Sequence, residues 1–450
     1  MRTETFLTEP LPNGDEVFLH IPTGKSGIVF RENREKVFAW FENPERARSD
    51  GSELARQFLE NGFDARTPRP PFDQRDDASQ LYLTLMPTEQ CNLRCVYCYE
   101  DFARGAMEID VREAIVRHLT ARVSSLRRLH LDWFGGEPLL AWDVICDLVP
   151  RIRSIAADAG VPFQMSMTTN GTLLTEDRLA FLVRHGCVSF QVTLDGPSWL
   201  HDRRRISRRG VGTFHAALAA IRRVRDSDPP ARAVVRLNLD RENLDGMLWF
   251  VDLLASEFAG DPRVQFYARN VWKGRPEAPI EELRGEEGFE AVRAVTERII
   301  RSGLFPYWIL SHVIPHRLVC YAACRRSLVI GSDGSLYKCT VAFDLRENRI
   351  GRLREDGTLE IDASLFALWT GAGRDANGCA SCFLLSACQA GSCPRKVIEK
   401  GSVQCPYEKL HASRWLELIG LFYQARAGRL SPTVSPAIQK EESHVAVPSR

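Results

Sequence analysis

The sequence predicts an α/β protein in which a partial (β/α)6 barrel lies between a small β-rich N-terminal domain and a C-terminal cysteine-rich domain. Two observations carry this prediction. From 81 to 275, strand-like runs alternate with helical patterns, which is typical of parallel βαβ units. From 320 to 410, regular periodicity gives way to short turns that hold eight of the 13 cysteines. A length of 450 residues fits more than one domain.

Residues 1–80 form the predicted N-terminal domain. Its predicted strands are EVFLHI (16–21), GIVF (27–30) and KVFAWF (36–41), because these runs are rich in β-branched and aromatic residues and turn signals adjoin them. A helix follows at 52–62, and the proline-rich stretch 67–79 is a predicted linker.

An edge of this small sheet suits the docking of an extended peptide by strand addition. Phe18, Ile28 and Phe38 would then offer apolar contacts to the peptide. The alternative is a structural cap over the open side of the barrel.

Six strands and five helices alternate in the predicted barrel. The strands are 81–87, 128–134, 163–169, 188–194, 233–239 and 264–268, and the helices are 111–123, 141–160, 175–186, 212–227 and 244–258. In barrels of this kind the chemistry takes place at the C-terminal ends of the strands. Functional residues are therefore expected directly after each strand.

The remaining chain divides into three parts. A connecting segment at 276–319 contains a charged helix, 281–303. The cysteine-rich domain is 320–410, where bound metal is expected to replace part of an apolar core. The last part, 411–450, contains most of a closing helix that begins near 408 and a tail with the composition of a disordered segment.

Composition narrows the function classes. The net charge of +1 gives no bulk field for nucleic acid or a membrane surface, and no apolar run approaches the roughly 20 residues of a membrane span. The N-terminal residues lack the apolar stretch of a secretion signal, so a cytoplasmic location is expected. Cytoplasmic cysteines stay reduced, which favours metal binding over disulfides.

The first cysteine group is Cys91-x3-Cys95-x2-Cys98, directly after the first barrel strand. Three thiolates can hold a [4Fe–4S] cluster and leave one iron open for a ligand. A zinc site is the alternative, although structural zinc prefers four protein ligands.

Cys91-Asn-Leu-Arg-Cys95-Val-Tyr97-Cys98 resembles the signature of the radical S-adenosylmethionine (radical SAM) superfamily. The resemblance implies that S-adenosylmethionine binds the open iron. One electron then cleaves it to a 5′-deoxyadenosyl radical, which abstracts hydrogen from a substrate. A carrier such as flavodoxin or ferredoxin would supply the electron.

Further strand ends match cofactor-binding motifs of that superfamily. Gly135-Gly136-Glu137-Pro138 resembles the glycine-rich motif that binds the methionyl amino group. By the same resemblance, Tyr97 belongs to the cofactor site, and Thr193 and Arg205 hold the methionyl carboxylate. Arg203 and Arg204 are neighbours, so the choice of Arg205 rests on the spacing His201-Asp202-x2-Arg205.

Two later strands supply weaker candidates for the cofactor site. Arg236 and Asn238 face one way on the fifth strand and either reach the ribose or are structural. On the sixth strand, backbone atoms at 266–268 are candidates for contact with the adenine.

The second cysteine group reads Cys320-x3-Cys324-x9-Gly334-x4-Cys339, then Cys379-x2-Cys382-x5-Cys388-x4-Cys393, then Cys405. This spacing resembles the SPASM extension of one branch of the superfamily. The resemblance implies two fully ligated auxiliary clusters, hence three [4Fe–4S] clusters in all. Their ligands would be Cys320, Cys324, Cys339 and Cys393 for the first, and Cys379, Cys382, Cys388 and Cys405 for the second. The gap 389–392 is one residue longer than usual. A zinc ribbon is the alternative, and Cys146 and Cys187 are predicted packing residues.

The resemblance implies an oxidoreductase that modifies a precursor peptide by a crosslink or a related oxidation. In sulfatase maturases, which form formylglycine, an Asp base follows the third cysteine of the extension, but here that residue is Thr340. Formylglycine formation and a small-molecule dehydrogenase remain the alternative activities. A non-enzymatic electron-transfer or zinc-scaffold protein is the competing class.

Overall fold

The computed structural model describes residues 5–66, 77–274, 276–307, 309, 319–372, 379, 382–388, 393–403 and 405–430. Most of the predicted linker, the gap 389–392 and the predicted disordered tail lie outside these residues.

The N-terminal domain is a three-stranded antiparallel sheet followed by three helices. The strands are β1 (Phe6–Pro10), β2 (Glu16–His20) and β3 (Lys25–Val29), with β2 in the centre. The helices are α1 (Arg34–Glu42), α2 (Glu45–Arg48) and α3 (Glu53–Glu60). The predicted helix at 52–62 is confirmed.

The predicted third strand, KVFAWF, is wrong, because these residues lie in α1. Val37, Trp40 and Phe41 are buried at helical spacing, against the sheet and α3. Phe18 is also buried in this core, so the expectation that it contacts a peptide is wrong. Ile28 and Phe38 are half-buried.

Six parallel strands form the centre of the molecule, each hydrogen-bonded to the next in sequence order. They are β4 (Gln80–Leu85), β5 (Arg128–Trp133), β6 (Phe163–Thr169), β7 (Cys187–Leu194), β8 (Arg232–Leu239) and β9 (Val264–Asn270). All six predicted barrel strands are confirmed.

Helices connect these strands. They are α4 (Ile109–Arg122), α5 (Trp142–Asp158), α6 (Glu176–Arg184), α7 (Ser198–Arg204), α8 (Phe214–Arg225) and α9 (Leu244–Phe258), followed by α10 (Gly285–Arg301). The five predicted barrel helices and the charged helix are confirmed, and the short α7 was not predicted. A continuous apolar core fills the space between strands and helices.

The central sheet is open and continues beyond the six strands on both sides. β10 (Phe305–Pro306) pairs with β9, and β11 (Ser327–Ile330) pairs in parallel with β4. Three further antiparallel strands extend the sheet: β12 (Ser335–Tyr337), β13 (Arg349–Leu353) and β14 (Leu359–Ile361). Part of the cysteine-rich region is therefore built onto the barrel sheet, which its turn-rich sequence did not predict.

Short helices complete the chain. They are α11 (Ala363–Gly371), α12 (Leu385–Cys388), α13 (Pro394–Lys400), α14 (Tyr407–Leu410) and α15 (Ala412–Arg426). The predicted closing helix corresponds to α14 and α15.

The closing helix α15 joins the N-terminal sheet to the barrel. A β-carbon at Gly420 would lie 2.7 Å from Leu11, so α15 lies tightly against the sheet. Gln424 donates hydrogen bonds to Asn13 and Asp15. Elsewhere α15 packs on α10, and the N-terminal domain is thereby anchored to the barrel.

Among the residues that the structure describes, no helix combines the length and the apolar character needed to cross a membrane.

Candidate active site at the strand ends

The structure brings the first three cysteines together in the loop after β4. Burial raises the pKa of the Cys91 and Cys98 thiols to about 12, and neighbouring cysteines add to it. Burial also raises the pKa of Cys95, against the effect of Arg205. Three neighbouring buried thiols lose their protons only beside a positive partner, and iron provides one. The donor set therefore fits an iron–sulfur cluster with three protein ligands.

Two glycines fix the position of this loop. A β-carbon at Gly135 would lie 2.3 Å from the carbonyl oxygen of Thr88, and one at Gly136 would lie 2.4 Å from that of Gln90. The Glu137 N–H donates to the Gln90 carbonyl at 2.9 Å. The close approach that the glycines permit in this structure is to the backbone just before Cys91.

Glu137 is completely buried at the end of β5. Its carboxylate accepts hydrogen bonds from the Leu139 N–H, the Thr169 hydroxyl and the Asn170 N–H, at 3.1, 2.8 and 2.7 Å. Burial raises its pKa despite these donors. Glu137 thus ties the end of β5 to the end of β6.

Asn170 contacts the cysteine loop directly. Its Nδ2 donates to Asn92 Oδ1 at 2.9 Å and lies 3.9 Å from Cys91 Sγ. Asn170 stands in the run Thr168-Thr169-Asn170-Gly171 at the end of β6, and its sequence context predicted no role for it.

Tyr97 is the centre of a hydrogen-bond network behind the cysteines. Its hydroxyl donates to Asp195 Oδ1 at 3.0 Å and accepts from Arg205 Nη1 at 2.7 Å and Asn238 Nδ2 at 2.9 Å. Arg236 donates to the Asn238 side chain at 2.8 Å. Asn238 and Arg236 therefore support this network, and Asp195 is a member that sequence reasoning missed.

The three neighbouring arginines have different surroundings. Arg204 is buried between Asp195 and Asp240, with Glu242 at its third nitrogen. Arg203 is exposed and pairs with Glu242. Arg205 is buried, and although burial disfavours its charge, Cys95, Tyr97 and Asp195 together outweigh that effect and raise its pKa. Arg205 is the arginine of the three that faces the cysteine loop.

His201 and Thr213 hold the backbone of Arg205. The Thr213 hydroxyl donates its hydrogen to the Arg205 carbonyl at 2.6 Å, so it can only accept from His201. His201 Nε2 is therefore the donor to Thr213, and His201 Nδ1 accepts from the Asp195 N–H at 3.3 Å. This bonding fixes a neutral imidazole, and burial lowers the pKa of His201 to about 4.

The other predicted strand-end positions lie on the same edge of the sheet. Thr193 is buried near the end of β7, beside Arg236 of β8 in the parallel register. Residues 266–268 lie in β9, next to β8.

The predicted first auxiliary set also comes together. Burial raises the pKa of Cys320, and Cys339, Cys393 and Cys324 lie near enough to raise it further. Lys338, adjacent to Cys339, is completely buried, and its Nζ donates to the carbonyls of Cys324 and Ser327, both at 2.6 Å. Sequence reasoning missed this lysine, because a single lysine in a turn-rich region is normally exposed.

The predicted second set lines one small apolar cavity. The cavity contains Cys379, Cys382, Cys388 and Cys405, together with Lys409. Cys382 and Cys405 raise the pKa of Lys409. Within the described ranges, no three Cys, His, Asp or Glu side chains are spaced to hold a single metal ion.

Two cysteines lie apart from these three groups. Cys187 is buried in the barrel core, as predicted, and Cys146 is half-buried on α5.

Comparison with known protein families identifies the domain that contains this site. A sequence profile of the Radical SAM superfamily matches residues 85–254, which carry the first cysteine group and the strand-end residues up to β8. Residues 85–254 of this chain form a radical SAM domain. Such a domain implies an enzyme that uses S-adenosylmethionine and a [4Fe–4S] cluster, which excludes the electron-transfer and zinc-scaffold interpretations.

Two curated relatives are similar in sequence to this chain. A serine-type anaerobic sulfatase-maturating enzyme of Klebsiella pneumoniae is 27% identical over 69% of this chain and 81% of the relative. The Fe-coproporphyrin III synthase of Methanosarcina barkeri is 27% identical over 47% of this chain and 49% of that enzyme.

Two solved structures share the fold of the radical SAM chain. Native anSMEcpe with bound AdoMet and the Kp18Cys peptide aligns with a TM-score of 0.59 at 18% identity, over 77% of this chain and 99% of that one. Streptococcus suis SuiB bound to precursor peptide SuiA aligns with a TM-score of 0.51 at 14% identity, over 89% of this chain and 97% of SuiB. The cysteine-rich C-terminal region of this chain is in keeping with its likeness to these two structures.

Proposed function

We propose that this radical SAM enzyme is a peptide maturase, which forms a crosslink or a related oxidation in a ribosomally made precursor peptide. The observation that carries the proposal is the presence of three separate cysteine groups. Cys91, Cys95 and Cys98 lie at the strand ends, and eight further cysteines form two groups in the C-terminal region. Hydrogen abstraction needs the first group, and net oxidation of a peptide needs an electron acceptor beyond it.

We assign eleven cysteines to three [4Fe–4S] clusters. In the proposal, the first group holds the cluster that binds S-adenosylmethionine. Cys320, Cys324, Cys339 and Cys393 hold the first auxiliary cluster. Cys379, Cys382, Cys388 and Cys405 hold the second. When bound, these groups and S-adenosylmethionine supply the 5′-deoxyadenosyl radical and an acceptor for one electron.

The protein's own residues orient the cofactor in this proposal. Arg205 offers its guanidinium to the methionyl carboxylate, since Tyr97 occupies only one of its nitrogens in the described contacts. Gly135 and Gly136 leave no side chain between the β5 loop and the cysteines. Glu137 acts chiefly as a positioning residue here, because protein donors already occupy both of its oxygens.

The overall oxidation balances as a loss of two hydrogen atoms from the peptide. One hydrogen atom of the peptide would pass to the adenosyl carbon that S-adenosylmethionine supplies, and then one electron would pass to an auxiliary cluster and one proton to solvent. A new bond within the peptide closes the valence. Thr340 cannot take the proton as a carboxylate would, and its hydroxyl and N–H both contact the Tyr321 hydroxyl at 2.8 Å.

Formylglycine formation is the second candidate, favoured by the Klebsiella relative. The two reactions are separated by incubating the reconstituted enzyme, S-adenosylmethionine and reductant with a precursor peptide encoded beside the gene. We expect a loss of two hydrogen atoms in the mass spectrum and no reaction of the product with a hydrazide. A hydrazide adduct would instead reveal an aldehyde. An unchanged peptide with oxidation of a small alcohol would favour a dehydrogenase.

The N-terminal sheet supplies the proposed docking site for the precursor. Among the described strands, β1 and β3 each pair only with β2, so each has an open edge. The Ser26 carbonyl accepts from Tyr423, so Ser26 faces away from β2, and by alternation so does Ile28. Pro10 removes one donor from β1. Tyr423 of α15 occupies the outward carbonyl of Ser26, so an added strand at β3 would pair through the outward groups of Ile28. β3 keeps these groups, whereas Pro10 removes one such donor from β1.

Substitution of Ile28 tests this docking. Ile28→Pro removes an outward N–H without breaking the bonds between β2 and β3. We expect precursor affinity to fall about three- to tenfold, the equivalent of one hydrogen bond. Ile28→Val keeps the N–H and is the matched control. Unchanged affinity of a folded Ile28→Pro enzyme would leave the N-terminal domain as a structural cap.

A further inference from the structure

A second backbone segment lies directly against the cysteine loop. The N–H groups of Arg94 and Val96 donate to the carbonyls of Ile206 and Arg204, at 2.8 and 3.0 Å. On the other side of Leu93, the Arg208 N–H donates to the Asn92 carbonyl at 2.9 Å. Residues 204–208 thus run antiparallel to 92–96, and their hydrogen bonds to Arg94 and Val96 flank Cys95.

The outer side of this segment is exposed and basic. Arg203, Arg208 and Arg209 are exposed, whereas Arg204 and Arg205 point inward and are buried. Trp199 and Val211 are 60% and 62% exposed, and the guanidinium of Arg203 lies over the Trp199 ring. We call these five exposed residues the arginine ridge: Trp199, Arg203, Arg208, Arg209 and Val211.

Acidic groups near the ridge pair with Arg203 and with the buried Arg204, whereas Arg208 and Arg209 form no ion pair within the described residues. Asp195 and Asp240 bind the buried Arg204, and Asp202 accepts hydrogen bonds from the N–H groups of Thr213 and Phe214. Glu242 is shared between Arg203 and Arg204. Arg208 and Arg209 therefore keep their charge on the surface, in a chain whose net charge is only +1.

We propose that the arginine ridge is the docking surface for an acidic one-electron carrier protein of the flavodoxin or ferredoxin kind. The inference rests on the proposed function, since it needs a cluster at Cys91, Cys95 and Cys98. A docked carrier loses one electron and the cluster gains it, and no bond is made or broken. Basic and aromatic residues suit such a transient contact, because charge steers the encounter and apolar area holds it briefly.

Charge reversal on the ridge tests the proposal. In the reconstituted enzyme, Arg208→Glu combined with Arg209→Glu is compared with Arg128→Glu combined with Arg232→Glu. The control arginines are exposed at the starts of β5 and β8, at the opposite end of the parallel strands. Reduction of the iron–sulfur absorbance is followed by stopped flow, with reduced flavodoxin or with dithionite, and flavodoxin affinity is measured by interferometry.

The ridge variant should be reduced by flavodoxin about tenfold more slowly at low ionic strength, with weaker binding. Added salt should narrow the difference in reduction rate between the ridge variant and the unmodified enzyme. Salt screens the charges, and this weakens the electrostatic attraction of flavodoxin to the unmodified enzyme. Dithionite should reduce all proteins at the same rate. Equal reduction by flavodoxin of both variants and the unmodified enzyme would overturn the proposal. The proposal would also be overturned if the ridge variant bound the precursor peptide more weakly but bound flavodoxin normally, because the ridge would then be a peptide-binding site.

The outcome is separable from that of the proposed function. If the unmodified enzyme with dithionite makes no 5′-deoxyadenosine, the proposed function itself fails. If it does, and the flavodoxin rates are equal, only the docking surface is wrong.

Discussion

The Tyr97 hydroxyl joins three parts of the chain at a single atom. It receives hydrogen bonds from Arg205, which follows α7, and Asn238 on β8, and gives one to Asp195, after β7. All its hydrogen-bonding capacity is therefore used within the protein. Tyr97 orients Arg205 through this bond, which makes it a positioning residue for the guanidinium.

Arg205 is the residue on which cofactor affinity should depend most strongly. We expect Arg205→Gln to weaken S-adenosylmethionine binding about 10- to 100-fold, the usual loss for a hydrogen bond to a charged group. Calorimetric titration of the reconstituted enzyme measures it. Arg203→Gln is the control, because Arg203 is exposed and pairs with Glu242. Equal losses in both variants would contradict the assignment.

His201 predicts a dependence of stability on pH. Its pKa is about 4 in the folded chain, below the ordinary value of 6.5. The unfolded chain therefore binds a proton between these values that the folded chain excludes, so stability falls as the pH is lowered through this window. Between pH 7 and pH 5 the loss amounts to about 2 kcal/mol.

Thermal unfolding of the cluster-free protein at the two pH values checks this expectation. His201→Gln should flatten the dependence, because glutamine does not titrate. His20, also buried with a pKa lowered to about 4, still contributes in the variant. A dependence unaltered by His201→Gln would show that the imidazole binds protons equally in the folded and the unfolded chain, so that its pKa is not lowered.

The sequence predicted those site residues that belong to a motif with a defined spacing. The cysteine triad and Arg205 follow from motif spacing, and the structure brings them together. Asp195 and Asn170 were visible in the strand-end runs, but their partners are far apart in sequence. Lys338 was not predictable, because its burial depends on the fold of β11 and β12 around it.

At the scale of elements, the two glycines of the β5 loop should set the position of the cysteine loop. Gly136→Ala places a β-carbon 2.4 Å from the Gln90 carbonyl oxygen, so the loop must move. We expect a loss of about 2 kcal/mol or more in stability and reduced iron at the first cluster. Gly105→Ala is the control, since nothing lies within 4 Å of its added carbon. Normal iron content in Gly136→Ala would show that the loop tolerates the shift.

The elements of the barrel were predictable because periodicity and length agree in them. The six strands are short β-rich runs, and the helices between them are long enough to show a 3.6-residue repeat. KVFAWF failed because it is short and rich in aromatic residues, so composition outweighed its helical spacing. Strands β11 to β14 are three to five residues long and form by pairing with the barrel sheet.

On the scale of the whole molecule, the barrel and the C-terminal region share one sheet. β11 pairs with β4, the strand that leads into the cysteine loop. Arg104 reinforces the junction by binding Glu89, before the loop, and Asp333, in the turn between β11 and β12. Cys320, Cys324 and Cys339, which adjoin β11 and β12, are thus held in a fixed relation to the barrel.

Loss of the second auxiliary group should leave the barrel chemistry intact. Cys379→Ala combined with Cys382→Ala is expected to lower the iron content by roughly four atoms, one [4Fe–4S] cluster. 5′-Deoxyadenosine should still form without peptide product. Iron analysis and chromatography measure both. Zinc at this site with persisting product would contradict the assignment.

The most direct test of the whole account is the formation of 5′-deoxyadenosine by anaerobically reconstituted, dithionite-reduced enzyme. The account predicts that the unmodified enzyme makes it from S-adenosylmethionine. The triple variant Cys91→Ala, Cys95→Ala and Cys98→Ala should make none and hold roughly four fewer irons, one cluster. Production by the triple variant at the rate of the unmodified enzyme would contradict the account.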